Sequence, residues 1–91
     1  MNPAGIYGPP GMANGYVAAK ALAQIAGSVR HPDVIKLLAG ENMWLRAGTL
    51  RGLAEAHAEG IEGLLMKAMG PENAEVVRQE ARVQLRRLNK R

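Results

Sequence analysis

From Met43 to Ala68, the side chains Met43, Ala47, Leu50, Ala54, His57, Ile61, Leu64 and Ala68 recur four and three residues apart without a break. That is the period of a helical seam. It predicts one long helix over about Glu41–Met69. Gly70-Pro71 closes it, because glycine adopts the backbone that ends a helix and proline lacks the N–H needed to continue one. Pro71 then opens a final helix to about Asn89, with the stripe Ala74, Val77, Ala81, Leu85 and Leu88. Glu72 and Glu75 sit at its positive end, and Arg86, Arg87, Lys90 and Arg91 at its negative end. So short a connection makes the last two helices an antiparallel hairpin.

Upstream, Asn14 suits the N-cap of a first helix over about Gly15–Arg30, with Ala18, Leu22, Ile25 and Val29 as its apolar stripe. Pro32 fits the first position of a short helix, Asp33 favours its N-terminus, and Gly40 suits its end. Residues 1–15 contain four glycines, three prolines and no charged side chain, the composition of an extended segment. The expected fold is therefore all-α. An N-terminal arm over 1–14 precedes a helical domain over 15–91 with three to four helices.

A chain of 91 residues is one domain at most. It has no cysteine, and its aromatics are Trp44, Tyr7 and Tyr16. The core must come from Leu, Ile, Val and Met, while much of the apolar content is alanine. Chains of this size bury only roughly 60–65% of their unfolded surface. A partner that supplies apolar area is the expected remedy. The N-terminus lacks the basic start and apolar run of an export signal. The apolar stretch Val17–Ala26 is short and carries Lys20, so no membrane partner is expected. These features predict an intracellular location, or a particle assembled inside a cell.

On the expected long helix, Leu45, Gly48, Gly52, Ala56, Gly60, Gly63 and Met66 gather opposite the seam. Each interior glycine costs about 0.5–1 kcal/mol against alanine. Glycines four apart let another backbone come close. That backbone is either the chain's own first helix or another polypeptide. Gly48, Gly52 and Gly60, with Trp44 as the chain's one tryptophan, are thus candidate partner-binding residues. Ile6, Tyr7 and Met12 are the candidate anchors of the arm.

Catalytic chemistry has little to work with. Thiols are absent, and His31 and His57 lie far apart without a metal-ligand spacing. Ser28, His31 and Asp33 fall at a helix junction, where capping explains them better than a triad. No phosphate-binding glycine loop is present, and Glu55, Glu59 and Glu62 read as a solvated flank. The expectation is a non-enzyme without cofactor or metal.

The net charge of +4 is concentrated at the C-terminus. Arg78, Arg82 and Arg86 are spaced four apart, with Arg87 beside them. Such a ridge serves the helix dipole and solubility, an acidic protein surface, or a phosphate backbone. No aromatic is interleaved, which argues against base stacking. The expected partners are proteins first and nucleic acid second.

His31-Pro32-Asp33, Trp44-Leu45 and Glu80-Ala81-Arg82 follow one another in that order. Over about residues 31–88 the chain resembles the small helical proteins encoded among the head and packaging genes of tailed bacteriophages. The resemblance implies a virion or assembly component and transfers no functional residue. The sequence thus points to a structural protein that packs through helices and an N-terminal arm onto copies of itself or a larger complex. A nucleic-acid-binding accessory module using the basic helix is the alternative.

Overall fold

The computed structural model describes residues 12–90. Within them the chain forms five helices: α1 (Met12–Ala26), α2 (Pro32–Ala39), α3 (Met43–Glu55), α4 (Ile61–Ala68) and α5 (Glu75–Asn89). The all-α expectation holds, with more and shorter helices than the three to four expected. Helix α3 is central: α1 and α5 both pack on it, α2 adds a smaller contact, and α5 also packs on α4.

The short helix α2 follows the sequence closely. Pro32 starts it, the His31 Nδ1 accepts from the Asp33 N–H at 3.1 Å, and Gly40 donates to Lys36 and Leu37 at its end. Asn42 caps α3, its Oδ1 accepting from the N–H groups of Trp44 and Leu45 at 2.9 and 3.2 Å. These are ordinary solutions for orphan donors at a helix start.

The long helix expected over Glu41–Met69 is two helices. At the end of α3 the Ala58 N–H reaches the Leu53 carbonyl and the His57 N–H reaches that of Ala54, both at 3.0 Å. That is a Schellman closure, with His57 in the left-handed position at φ 55°. Leu53 and Ala58, both buried, supply its apolar contact. Gly60, at φ 86°, then precedes α4. The seam survives the break: Ala47, Leu50, Ala54 and Ile61 are buried. His57 is exposed, against the expectation that it packs in the seam.

The last helix begins at Glu75 rather than Pro71. Asn73 holds the intervening turn, donating from Nδ2 to the carbonyls of Lys67 and Gly70 and accepting from Arg46 Nη2 at 2.7 Å. Its expected stripe is inward, with Val77 and Ala81 buried. The hairpin partner is not a single long helix, since α5 lies on α3 and α4 together.

Helix α1 departs furthest from expectation. It already includes Asn14, assigned above as its cap, and stops at Ala26, where Gly27 turns left-handed at φ 63°. Its inward face is Ala19 and Ala23, both buried. Of the expected stripe, Ala18, Leu22 and Ile25 face outward. The reason lies in α3. A Cβ on Gly52 would sit 2.3 Å from the Lys20 carbonyl oxygen and 2.8 Å from the Ala23 Cβ. Backbones this close leave room only for alanine on the facing side.

One core joins all five helices, drawing Ala23 from α1, Val34 from α2, Leu50 and Leu53 from α3, Leu65 from α4 and Val77 from α5.

Candidate protein-docking surface

Because α1 spends its alanines inward, its larger side chains are displayed. Val17 is 57% exposed, Leu22 37% and Ile25 87%. With the exposed Ala18 and Ala21 they occupy one face, on which no charged residue falls. Exposed apolar residues standing singly are ordinary, whereas a contiguous uncharged set is a candidate interaction surface. Among the described residues the other exposed large hydrophobics are Ile35 on α2, Met66 on α4, Met69 just after it and Val83 on α5.

Leu22 also forms one wall of a groove of about 410 Å³ between α1, α2 and the start of α3. Leu37 and Leu45 line it, with Asp33 and Lys36 at its α2 wall. A second cleft of about 340 Å³ lies among α2, α3, α4 and α5. Leu38, Leu50, Leu64 and Val77 give it apolar walls, and Arg46, Lys67 and Glu72 are its charged residues.

A polar network fixes α1 against the rest. Tyr16 donates its hydroxyl to Glu80 Oε1 of α5 at 2.7 Å and accepts from Arg51 Nη1 of α3 at 3.3 Å. Arg51 Nε is paired with Glu55 Oε2 at 2.9 Å, Gln24 donates to Glu55, and Gln84 donates to Glu80 Oε2 at 2.7 Å. Burial pushes the Tyr16 hydroxyl above its ordinary pKa; Glu80 adds to that rise and Arg51 opposes it. The Arg51 hydrogen bond holds Glu55 below the ordinary carboxylate value. Docking α1 this way sets which of its faces is displayed.

The candidate residues from sequence are dispersed by the fold. Ile6 and Tyr7 lie outside the described residues, and Met12 falls in the first turn of α1. The backbone that approaches Gly48 and Gly52 is the chain's own α1, so their role is internal packing. Gly60 belongs to the α3–α4 turn. Gly63, on α4, has no atom near the place of its missing Cβ. Trp44 is partly buried, and its indole Nε1 is buried without a hydrogen-bond partner among the described residues.

On α5, Arg78 is paired with Glu75 one turn earlier, whereas Arg82, Arg86 and Arg87 are exposed. Ser28 and His31 are engaged in local turns, accepting from the N–H groups of Arg30 and Asp33. Glu55, Glu59 and Glu62 do not share one helical flank, because the break at 56–60 divides them. Among the described residues no group of three or more His, Cys, Asp or Glu could hold a metal ion. No helix among them is long and apolar enough to cross a membrane.

Sequence reading missed the α1 face because it took the larger side chains as the buried ones. The signal that could have found it was the pair Gly48 and Gly52: glycines one turn apart ask for small residues opposite, and α1 offers Ala19 and Ala23. Comparison of the chain with protein families, curated proteins and solved structures finds no match.

Proposed function

We propose that this chain is a non-enzymatic assembly protein, a small helical unit that docks onto another polypeptide through the outer face of α1. The observation that carries the reading is the inversion of that helix, with Ala19 and Ala23 inward and Val17, Leu22 and Ile25 outward. Burying an aliphatic side chain is worth about 1.5–3 kcal/mol, so a helix that displays three on one face gains most when something covers it. The N-terminal segment, with Ile6 and Tyr7, is the second proposed contact. A bacteriophage virion component is the most specific form of this proposal, and it rests on the resemblance over residues 31–88.

The experiment is photo-crosslinking in the cell that produces the protein, with a crosslinking residue placed at position 25 and, as control, at position 66. Ile25 and Met66 are both well exposed, at 87% and 62%. Polypeptide adducts from position 25 in clear excess over position 66 are expected. Equal or absent adducts would overturn the reading.

A second reading has its own observation. Arg82, Arg86 and Arg87 are exposed and have no carboxylate partner among the described residues. They are available to phosphate, and nucleic acid is therefore the rival partner.

A further inference from the structure

We propose that the partner across the outer face of α1 is a second copy of this chain, paired about a two-fold axis. Each copy lays its Val17–Leu22–Ile25 ridge along the groove of the other. The proposal rests on the reading of α1 as a docking face and adds the identity of the occupant.

Size comes first. A stable protein interface covers about 800 Å² per partner. A 15-residue helix is about 22 Å long and, with side chains, about 10 Å across, so its outer face alone falls short of that area. The groove between α1, α2 and α3 adjoins it through Leu22 and extends the apolar surface onto Leu37 and Leu45. The surface is thus a ridge beside a hollow. A two-fold interface uses one patch twice, so that what projects from one copy must fit what recedes in the other. A ridge and a groove side by side meet that requirement without a second protein.

Charge argues the same way. The α2 wall of the groove carries one anion, Asp33, and one cation, Lys36, and neither forms an ion pair among the described residues. A two-fold that brings the two α2 walls together antiparallel sets Asp33 of each copy toward Lys36 of the other, so one patch can supply both halves of two ion pairs. A partner of a single dominant charge would oppose one of the two side chains. The exposed arginines that would repel a like-charged copy lie on α5, which packs on α3 and α4.

The test is sedimentation of the full-length protein over a concentration series, with circular dichroism as the control for folding. Ile25 is exposed, so Ile25→Glu keeps the helical signal; placing a charge in the pairing face weakens dimerisation by at least about 100-fold. Met66→Glu, away from the face, leaves it unchanged. Asp33→Lys and Lys36→Asp each weaken the dimer, and the double exchange restores it, as only a self-complementary arrangement allows. A wild-type chain that stays monomeric at about 0.5 mM, a dimer indifferent to Ile25→Glu, or a double exchange that fails to restore pairing overturns the proposal. Crosslinks from position 25 to a different polypeptide, with no adduct of twice the chain's mass, would remove the second copy and leave the docking reading standing.

Discussion

Gly48 of α3 faces the main chain of Tyr16 on α1, and a Cβ at that glycine would lie 2.2 Å from the Tyr16 carbonyl oxygen. No side chain can yield there, because the obstacle is backbone. The contact fixes how near the two helices run, and hence which residues of α1 can face inward.

Substituting these glycines gives effects of opposite sign along the chain. Gly48→Ala and Gly52→Ala force α1 outward, and overpacking of this kind costs about 1–3 kcal/mol, more than the ~1 kcal/mol that alanine returns in helix propensity. Gly63→Ala on α4 meets nothing within 4 Å, so it gains roughly 0.5–1 kcal/mol. Thermal melts check this at about 4–8 °C per kcal/mol for a domain of this size. A gain, or no loss, at Gly48 and Gly52 would contradict the close α1–α3 approach.

His57 carries the positive φ of the α3 terminus. A left-handed backbone costs a non-glycine residue about 1–2 kcal/mol and is least tolerable for a β-branched one. His57→Val should therefore destabilise by more than about 1 kcal/mol, while His57→Gly stays within about 1 kcal/mol of wild type or better. Urea titrations distinguish the two. Equal losses would mean that the side chain, rather than the backbone, determines the position.

Stability should fall at both ends of the pH scale, for separate reasons. Tyr16 has its pKa raised in the fold. Its contribution is complete below the ordinary tyrosine value of about 10 and is lost as pH rises through the higher folded value. Glu55 has its pKa lowered, so its contribution is complete above the ordinary glutamate value and is lost as pH falls through the folded one. Tyr16→Phe should flatten the alkaline limb and Glu55→Gln the acid limb, in denaturation midpoints taken across pH.

The exposed arginines of α5 decide between the two partners. A phosphate ligand would give binding that weakens with salt at a log–log slope of roughly 0.9 per phosphate contacted on duplex DNA. The assembly reading expects no salt-sensitive duplex binding at physiological ionic strength. Titration of a labelled duplex over a salt series checks it, with Arg82→Gln/Arg86→Gln/Arg87→Gln as the comparison. Micromolar affinity whose slope falls in the triple variant would favour nucleic acid.

Removing residues 1–11 tests the N-terminal segment. The core cluster runs from Ala23 to Ala81, so the shortened chain should keep its helical signal and cooperative melt. Its assembly, measured by sedimentation, should weaken. A chain that unfolds would place the segment in the fold's own interior, and one that assembles at full strength would make it dispensable.

Local signals were the legible part of this fold. Pro32 and Gly40 bound α2 as their backbone chemistry requires, and every residue of the seam from Met43 to Ala68 except His57 is buried or partly buried. The break inside that seam was hidden, because a left-handed terminus normally advertises itself with glycine, and here a histidine occupies it. The inward face of α1 was hidden for another reason. That helix is apolar nearly all round, so period alone cannot choose between its faces. The choice is made by glycines some thirty residues away, and a reading that ranks residues by size selects the wrong side. The displayed apolar face of α1 was missed together with it, being the other half of the same decision.

The central place of α3 bears on the order of folding. Tyr16 meets Gly48 across 32 residues of chain, and α5 meets α3 across a similar separation. Loop-closure entropy grows only with the logarithm of length, so the two loops differ by only about 0.1–0.3 kcal/mol. Topology therefore gives neither flanking helix precedence. Whichever docks first does so through the quality of its contact: a rigid backbone-to-backbone fit for α1, a more adaptable aliphatic one for α5. Refolding rates of Gly52→Ala set against Val77→Ala would read that order directly, one variant slowing the ascent to the barrier and the other hastening the descent from the native state.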